Sequence, residues 1–404
     1  MAENAEIIEI AKKILKIGYV CDHCLGRQFA QLLSGLTNEE RGRIIRLFLA
    51  MNYEVKPFDA DLSNFCSFKF RNQKLKVVKK KKCCICNDVF EKLDGFKSEV
   101  EKKLKDVEFE TFLVGTKLSH DLIEKEESLW EEIGILYCEP IKAEINREFG
   151  KILQKLFKKE VDEKNPDVNI ILNLEKNKVE VKINSLFIFG KYKKLVRGIP
   201  QTKWDMYDET VEDIIAESVM KLTKGKSHAF HGAGREDIDA RCLDWRPFVF
   251  EVKEPLKRNI NLKKIEKEVN KSKKIQIGFL RFSNKEEVRK VKNLKLDKTY
   301  RVVAVFEKPL KNLELLKKLE GEINQKTPTR VLHRRADLIR KRKVKSIKWK
   351  KIDDRTLELE IRAESGLYIK ELITGDNGRT KPSASELLNN PANVKELDVI
   401  RIWQ

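Results

Sequence analysis

Gly234-Arg235-Glu236-Asp237-Ile238-Asp239-Ala240-Arg241 is the stretch on which the reading of this 404-residue chain turns. A small-residue run, His231-Gly232-Ala233-Gly234, precedes it, and a strand-like segment, Arg246 to Val252, follows. Arginines and carboxylates alternate here in an expected loop, and loops held by a rigid scaffold are where chemistry usually sits. Asp237, flanked by Arg235 and Arg241, is expected to stay ionised at neutral pH, because nearby opposite charge favours the charged form. Taken alone, the pattern describes a solvated, salt-bridged loop. The rest of the chain has to decide.

Lys and Arg outnumber Asp and Glu by 84 to 64, a net charge of +20. Such a field points to a polyanionic partner, with nucleic acid ahead of a membrane surface. No apolar run approaches the ~20 residues of a bilayer span. Met1-Ala2-Glu3-Asn4 lacks the basic-then-apolar order of a signal peptide. A cytoplasmic monomer is expected, in which paired cysteines bind metal rather than form disulfides. The length suits about two to three domains, and the Lys/Glu richness leans toward a hyperthermophile.

Cys21-Asp22-His23-Cys24 and the later pair Cys83 and Cys86 each have the two-residue spacing that lets one tight turn aim two thiolates at one metal. Together they are expected to hold one structural zinc, with Cys84 and His23 as possible substitutes. No open coordination position is implied. Cys66, Cys138 and Cys242 read as core thiols. Between the pairs, Thr37-Asn38-Glu39-Glu40 signals a capping box and a helix start, with Ile44, Ile45, Leu47 and Phe48 behind it. The run Lys79–Lys82, just before the second pair, is a phosphate-contact candidate.

An amphipathic helix is expected from Ile141 to Leu156, then strands over 168–174 and 179–195. The second strand ends in a basic, aromatic stretch, Gly190 to Pro200, which could hold an RNA backbone and stack a base or simply protect a strand edge. Gly198 and Pro200 mark an expected boundary, giving an accessory region 1–200 and a catalytic region 201–404. The second region reads as a helix over 210–222 and strands at 247–252, 275–282, 298–306 and 357–361. Arg330 to Lys351 carries 11 Lys or Arg and one acid, Asp337, and is the best phosphate-backbone candidate. Strands and helices alternate without repeated βαβ units, so the fold class is α+β.

Three stretches in order resemble the pseudouridine synthases. Gly234-Arg235-Glu236-Asp237 resembles their catalytic-aspartate motif, with Asp237, not Asp239, at the matching place. Lys298-Thr299-Tyr300-Arg301-Val302 resembles their second motif, whose tyrosine packs on the target base. Gly366-Leu367-Tyr368-Ile369-Lys370 resembles the third. With the cysteine pairs, Gly198 to Trp204 and Asp376 to Pro382, the whole chain resembles the archaeal and eukaryotic tRNA pseudouridine synthases with an N-terminal zinc and THUMP region, the "Pus ten" family. The resemblance implies a mixed-sheet catalytic domain, a zinc-bearing α/β accessory domain, tRNA as partner, and isomerisation of uridine at T-arm positions 54 and/or 55 without a catalytic cofactor. It makes Asp237 the nucleophile after base flipping and puts Tyr300, Tyr368 and Lys370 around the substrate. Lys370 stands where some relatives have an aspartate-pairing arginine; lysine lacks that fork. Leu367 replaces a threonine.

Three other readings compete. A THUMP-type methyltransferase or thiolation enzyme needs a Gly-rich nucleotide loop, and Gly232-Ala233-Gly234 lacks its third glycine. A metal-dependent nuclease on Glu236, Asp237 and Asp239 would need adjacent acids to point the same way. A non-catalytic RNA-binding or RNA-folding factor would share the charge and the zinc.

Overall fold

The computed structural model describes residues 2–72, 74, 78–204, 206–333 and 335–403; Met1 and Arg334, quoted above, lie outside the described residues. It divides into two compact units, Met1–Asn184 and Ser185–Gln404.

In the first unit a four-stranded sheet has the order β2-β1-β3-β4, from β1 (Thr111–Lys117), β2 (Glu160–Val161), β3 (Val168–Asn173) and β4 (Lys178–Ile183). The expected amphipathic helix spans Ile141–Phe157 and buries Ile141, Ile145, Phe149 and Leu153 completely. The capping box forms: Thr37 Oγ1 accepts from the Glu40 amide, and the Glu40 carboxylate accepts from the Thr37 amide at 2.8 Å. The helix it starts spans Asn38–Val55. Ile44, Leu47 and Phe48 are exposed, while Arg46, Leu49, Ala50 and Tyr53 are buried. The cause is backbone packing against the short helix Asp22–Gly26. A Cβ at Gly42 would lie 1.9 Å from the Asp22 carbonyl oxygen, and one at Gly26 1.8 Å from that of Asn38. That close approach fixes the rotation, and Arg46 then reaches in to Asp22 at 2.6 Å and Asn64 at 3.0 Å.

The strand expected over 179–195 is two strands. Its first part is β4; its second, β5 (Leu186–Lys194), pairs with strands of the second unit. The division between units therefore falls at Asn184-Ser185, ahead of the boundary expected near residue 200.

The second unit is built on one ten-stranded sheet of order β13-β10-β11-β12-β9-β14-β7-β5-β8, with β6 added beside β7. The strands are β6 (Ser227–Gly232), β7 (Arg241–Lys253), β8 (Ile275–Ser283), β9 (Lys298–Phe306), β10 (Gly321–Lys326), β11 (Ile339–Lys351), β12 (Thr356–Ala363), β13 (Thr380–Lys381) and β14 (Ala392–Ile402). The described pairings are antiparallel except β14 with β7, where Asp398 and Val399 face Arg241 and Cys242. Helices lie mainly in the connections, so the α+β class stands. Most of the basic segment 330–351 is strand β11, whose lysines are exposed while Val344 and Ile347 are buried.

Candidate active site

The quoted stretch lies where β6 ends and β7 begins, on the wall of a cavity of about 740 Å³. Gly234 has φ +76°, in the left-handed region where a side chain would be strained. A Cβ there would also press the Arg246 guanidinium at 3.3 Å. Past it, Glu236 turns inward and Asp237 outward. Glu236 is buried and saturated: it accepts from Tyr192 Oη at 2.9 Å and pairs with Arg246 Nε at 3.2 Å. Lys194, with its side chain fully buried, donates to the carbonyls of Ile199, Asp237 and Ile238 at 3.0, 3.0 and 3.1 Å. Burial pushes its pKa down, with the charge of Glu236 opposing. Tyr192 is thus a core ring under the loop. The base-stacking role open to Gly190–Pro200 does not fall to it.

The far end of the loop is pinned by Asp398 on β14. Its buried carboxylate takes both forks of Arg241 (3.0 and 2.8 Å), Arg301 at 2.8 Å and Arg197 at 2.7 Å. Burial alone would raise this acid. Arg241, Arg301 and Arg197 outweigh it and hold the group at about 2. Arg197 also donates to the Asp239 carbonyl at 2.8 Å.

Asp237 is left with its carboxylate at the cavity. Arg330 holds both oxygens, Nη1 to Oδ1 at 3.3 Å and Nη2 to Oδ2 at 3.1 Å. Lys370 Nζ stands 3.5 Å from Oδ2. The nearer partner of Lys370 is Asp239, at 2.7 Å, so the pairing expected of Lys370 goes chiefly to Arg330. Burial opposes ionisation of Asp239, but the Lys370 hydrogen bond and charge prevail and keep its pKa below the usual value. Arg330 is aimed by Glu371, which accepts from its Nε at 2.7 Å. Burial would lower the Arg330 pKa, yet Glu371 and Asp237 raise it. The segment bearing Arg330 is braced by the 376–382 stretch. Asp376 accepts from the Thr329 amide at 2.9 Å, and Arg379 donates to the Thr327 carbonyl. Sequence reasoning had grouped Arg330 with phosphate contacts. Nothing in the charge run separates it from its neighbours; only the fold brings it to Asp237.

Tyr300, half-buried on β9, lines the same cavity; burial, opposed by the charge of Arg246, pushes its hydroxyl up to about 12. Tyr368 also lines it. It lies in the turn before the short helix Ile369–Thr374 rather than in a strand, and its backbone is clamped by Gln325 at 2.7 and 2.8 Å. Its hydroxyl accepts from Arg335 Nη1 at 2.6 Å. Lys298 lines the wall beside them, lowered to about 8 by burial and by the charge of Arg246. All four expected substrate-side residues, Asp237, Tyr300, Tyr368 and Lys370, therefore converge on one cavity.

In the first unit Cys21, Cys24, Cys83 and Cys86 place their sulfurs within 4.8 Å of one another. Cys21 and Cys86 are 3.6 Å apart, close to the ~3.8 Å edge of a tetrahedron with ~2.3 Å zinc–sulfur bonds. The Cys21 amide donates to Cys83 Sγ at 3.3 Å. Among the described residues no other group of this kind occurs, and Cys84 and His23 stand outside it. His23 bonds Glu144 at 2.8 Å and stacks on Phe90. No helix among the described residues is long and apolar enough to cross a membrane.

Two family models match the chain: "Pus10, C-terminal" over residues 187–402 and "Pus10 THUMP domain, archaeal" over 96–173. The tRNA pseudouridine synthase Pus10 of Methanothrix thermoacetophila is 39% identical over 98% of this chain and 95% of its own length. That of Pyrococcus furiosus is 40% identical over 98% of both. Among solved structures, a Cbf5-Nop10-Gar1 complex matches at 18% identity and a TM-score of 0.32, covering 52% of this chain and 48% of that one. These sequence relatives are named as RNA-modifying isomerases. This chain belongs to the Pus10 family of tRNA pseudouridine synthases.

Proposed function

We propose that the chain isomerises uridine to pseudouridine in the T arm of tRNA, at positions 54 and/or 55, with Asp237 as the reacting carboxylate. The observation that carries this reading is the contrast at adjacent positions. Glu236 is buried and saturated, whereas Asp237 is forked by Arg330 and still reaches a cavity that Tyr300 shares.

The cavity is large enough for one flipped nucleotide, and Tyr300 supplies an aromatic face to replace lost stacking. Asp237 acts on the glycosidic bond, either as nucleophile on sugar or base or by promoting a glycal. The bond from C1′ to N1 breaks, the freed uracil rotates, and C1′ bonds to C5. The C5 proton leaves and N1 gains one, so the change is redox-neutral and needs no catalytic cofactor. Arg330 and Lys370 keep Asp237 aimed; the cations of β11 meet the RNA backbone. Asp239, bound to Lys370, and Arg235 brace the loop. Cys21, Cys24, Cys83 and Cys86 hold one zinc whose role is structural: it ties two distant segments together. The protein works on tRNA in the cytoplasm as a monomer.

The test maps pseudouridine in an unmodified tRNA transcript incubated with the protein in EDTA. Conversion at 54, 55 or both is expected. Tight binding without conversion would instead favour an RNA-binding factor, and strand cleavage restored by magnesium a nuclease.

A further inference from the structure

Strand β5 alternates: Tyr192 and Lys194 face the loop-supporting core, whereas Phe187, Phe189, Lys191 and Lys193 face the other side of the sheet. On that side the helix Lys285–Asn293 covers Phe187, Phe189 and Val249 through Val288 and Val291. Beyond the helix the face is open, and its composition is unusual. Phe279 on the edge strand β8 is 60% exposed. Its φ of +59° is a left-handed conformation that strains a non-glycine residue. The strain comes from an irregularity in pairing between Phe189/Arg281 and Lys191/Gly278. Its effect is to swing the Phe279 ring outward.

The ring is held once it is there. Trp245 on β7 meets it edge to face, with centroids 5.2 Å apart and planes at 88°. Gly278 leaves room for the indole: a Cβ there would touch Trp245 at 3.2 Å. Lys191 Nζ lies 5.3 Å from the Phe279 centroid and Lys193 Nζ 4.7 Å from that of Trp245. The neighbouring acids are Glu287, already bonded to Arg281, and Asp244, bonded to the Trp245 and Ile402 amides. Lys193 therefore brings positive charge to the indole face.

We propose that this face of β5, β7 and β8, apart from the Asp237 cavity, binds an unpaired segment of RNA, with one base stacked on Phe279 and phosphates met by Lys191 and Lys193. Aromatic rings interleaved with cations on a sheet are how proteins hold unpaired nucleotides. Edge protection accounts for the lysines and the irregular pairing, but not for an outward phenylalanine: a charged side chain would protect the edge better. The inference rests on the reading that the chain acts on RNA.

The test uses the full chain and tRNA, measuring affinity, thermal stability and pseudouridine formation together. Phe279→Gly removes the ring and the strain, so the variant should melt no lower than wild type while its tRNA dissociation constant rises about 5- to 150-fold. Phe279→Trp should restore binding. Lys193→Ala should reduce the slope of log affinity against log salt by about 0.7. Unchanged tRNA affinity in Phe279→Gly, with wild type making pseudouridine, overturns the proposal and points to a protein-facing patch. Lost affinity in Phe279→Gly, with wild type making none, keeps the platform and sinks the isomerase reading instead.

Discussion

The two units each gather charged groups from distant parts of the chain, and they treat them oppositely. In the first, four sulfurs from Cys21, Cys24, Cys83 and Cys86 lie within 4.8 Å of one another, close enough to bind one metal ion. In the second, Asp237 is approached by Arg330 and Lys370, yet one side of its carboxylate stays at the cavity. A closed shell gives its interaction energy to folding. An open one, supported from behind by Lys194, Glu236 and Asp398, can offer its charge to a reacting atom. The difference separates scaffold from chemistry.

Four variants sharpen that comparison. The largest effect is expected of Cys83→Ser, which removes one thiol from the proposed zinc site; a structural zinc contributes on the order of 10 kcal/mol to folding. Zinc content should fall and the first unit should melt early in calorimetry, with the second unit's transition kept. Equal zinc content and melting would mean the cluster is not a metal site. Next is Asp398→Asn, which leaves Arg197, Arg241 and Arg301 around a neutral amide. Breaking a buried pair this way costs about 3–5 kcal/mol, read as a lower melting temperature for the second unit.

Asp398 also fixes a pH dependence. Its folded value, about 2, lies below the ordinary 3.8. Its contribution is therefore complete above that ordinary value and is lost as pH falls through 3.8 toward 2. The gap in stability between wild type and Asp398→Asn should narrow over that window, and a constant gap would contradict the assignment. The smallest of the three effects comes from comparing Arg330→Met with Lys370→Met. Removing the two-pronged contact should lower kcat/KM by about 10- to 100-fold, more than losing Lys370. The reverse order would return the aspartate-pairing role to Lys370.

Much of this was legible in the sequence. Two-residue cysteine spacing is a local geometric constraint, and the four thiols do converge. The capping box at Thr37 and the helix from Ile141 are likewise set by nearest neighbours. What escaped was long-range. Asn184-Ser185 interrupts an apolar-alternating run too briefly to signal that β4 and β5 join different sheets. The buried face of Asn38–Val55 is not legible in side-chain hydropathy, because a Gly26–Gly42 backbone contact sets the rotation of that helix. At the site, Asp237 was found by motif, but Arg330 was masked by ten other basic residues in its segment. Lys194 and Tyr192 looked like surface residues in a basic stripe, and only strand alternation shows them beneath the loop.

The most direct measurement compares pseudouridine formation by wild type, Asp237→Asn and Asp239→Asn on the same tRNA transcript, with tRNA affinity measured alongside. Losing the reacting carboxylate should cut turnover on the order of 10⁴-fold or more, with tRNA still bound. Asp239→Asn, which loses only a brace to Lys370, should remain active. Substantial turnover by Asp237→Asn, or equal loss in both variants, would contradict the assignment of Asp237 as the reacting group.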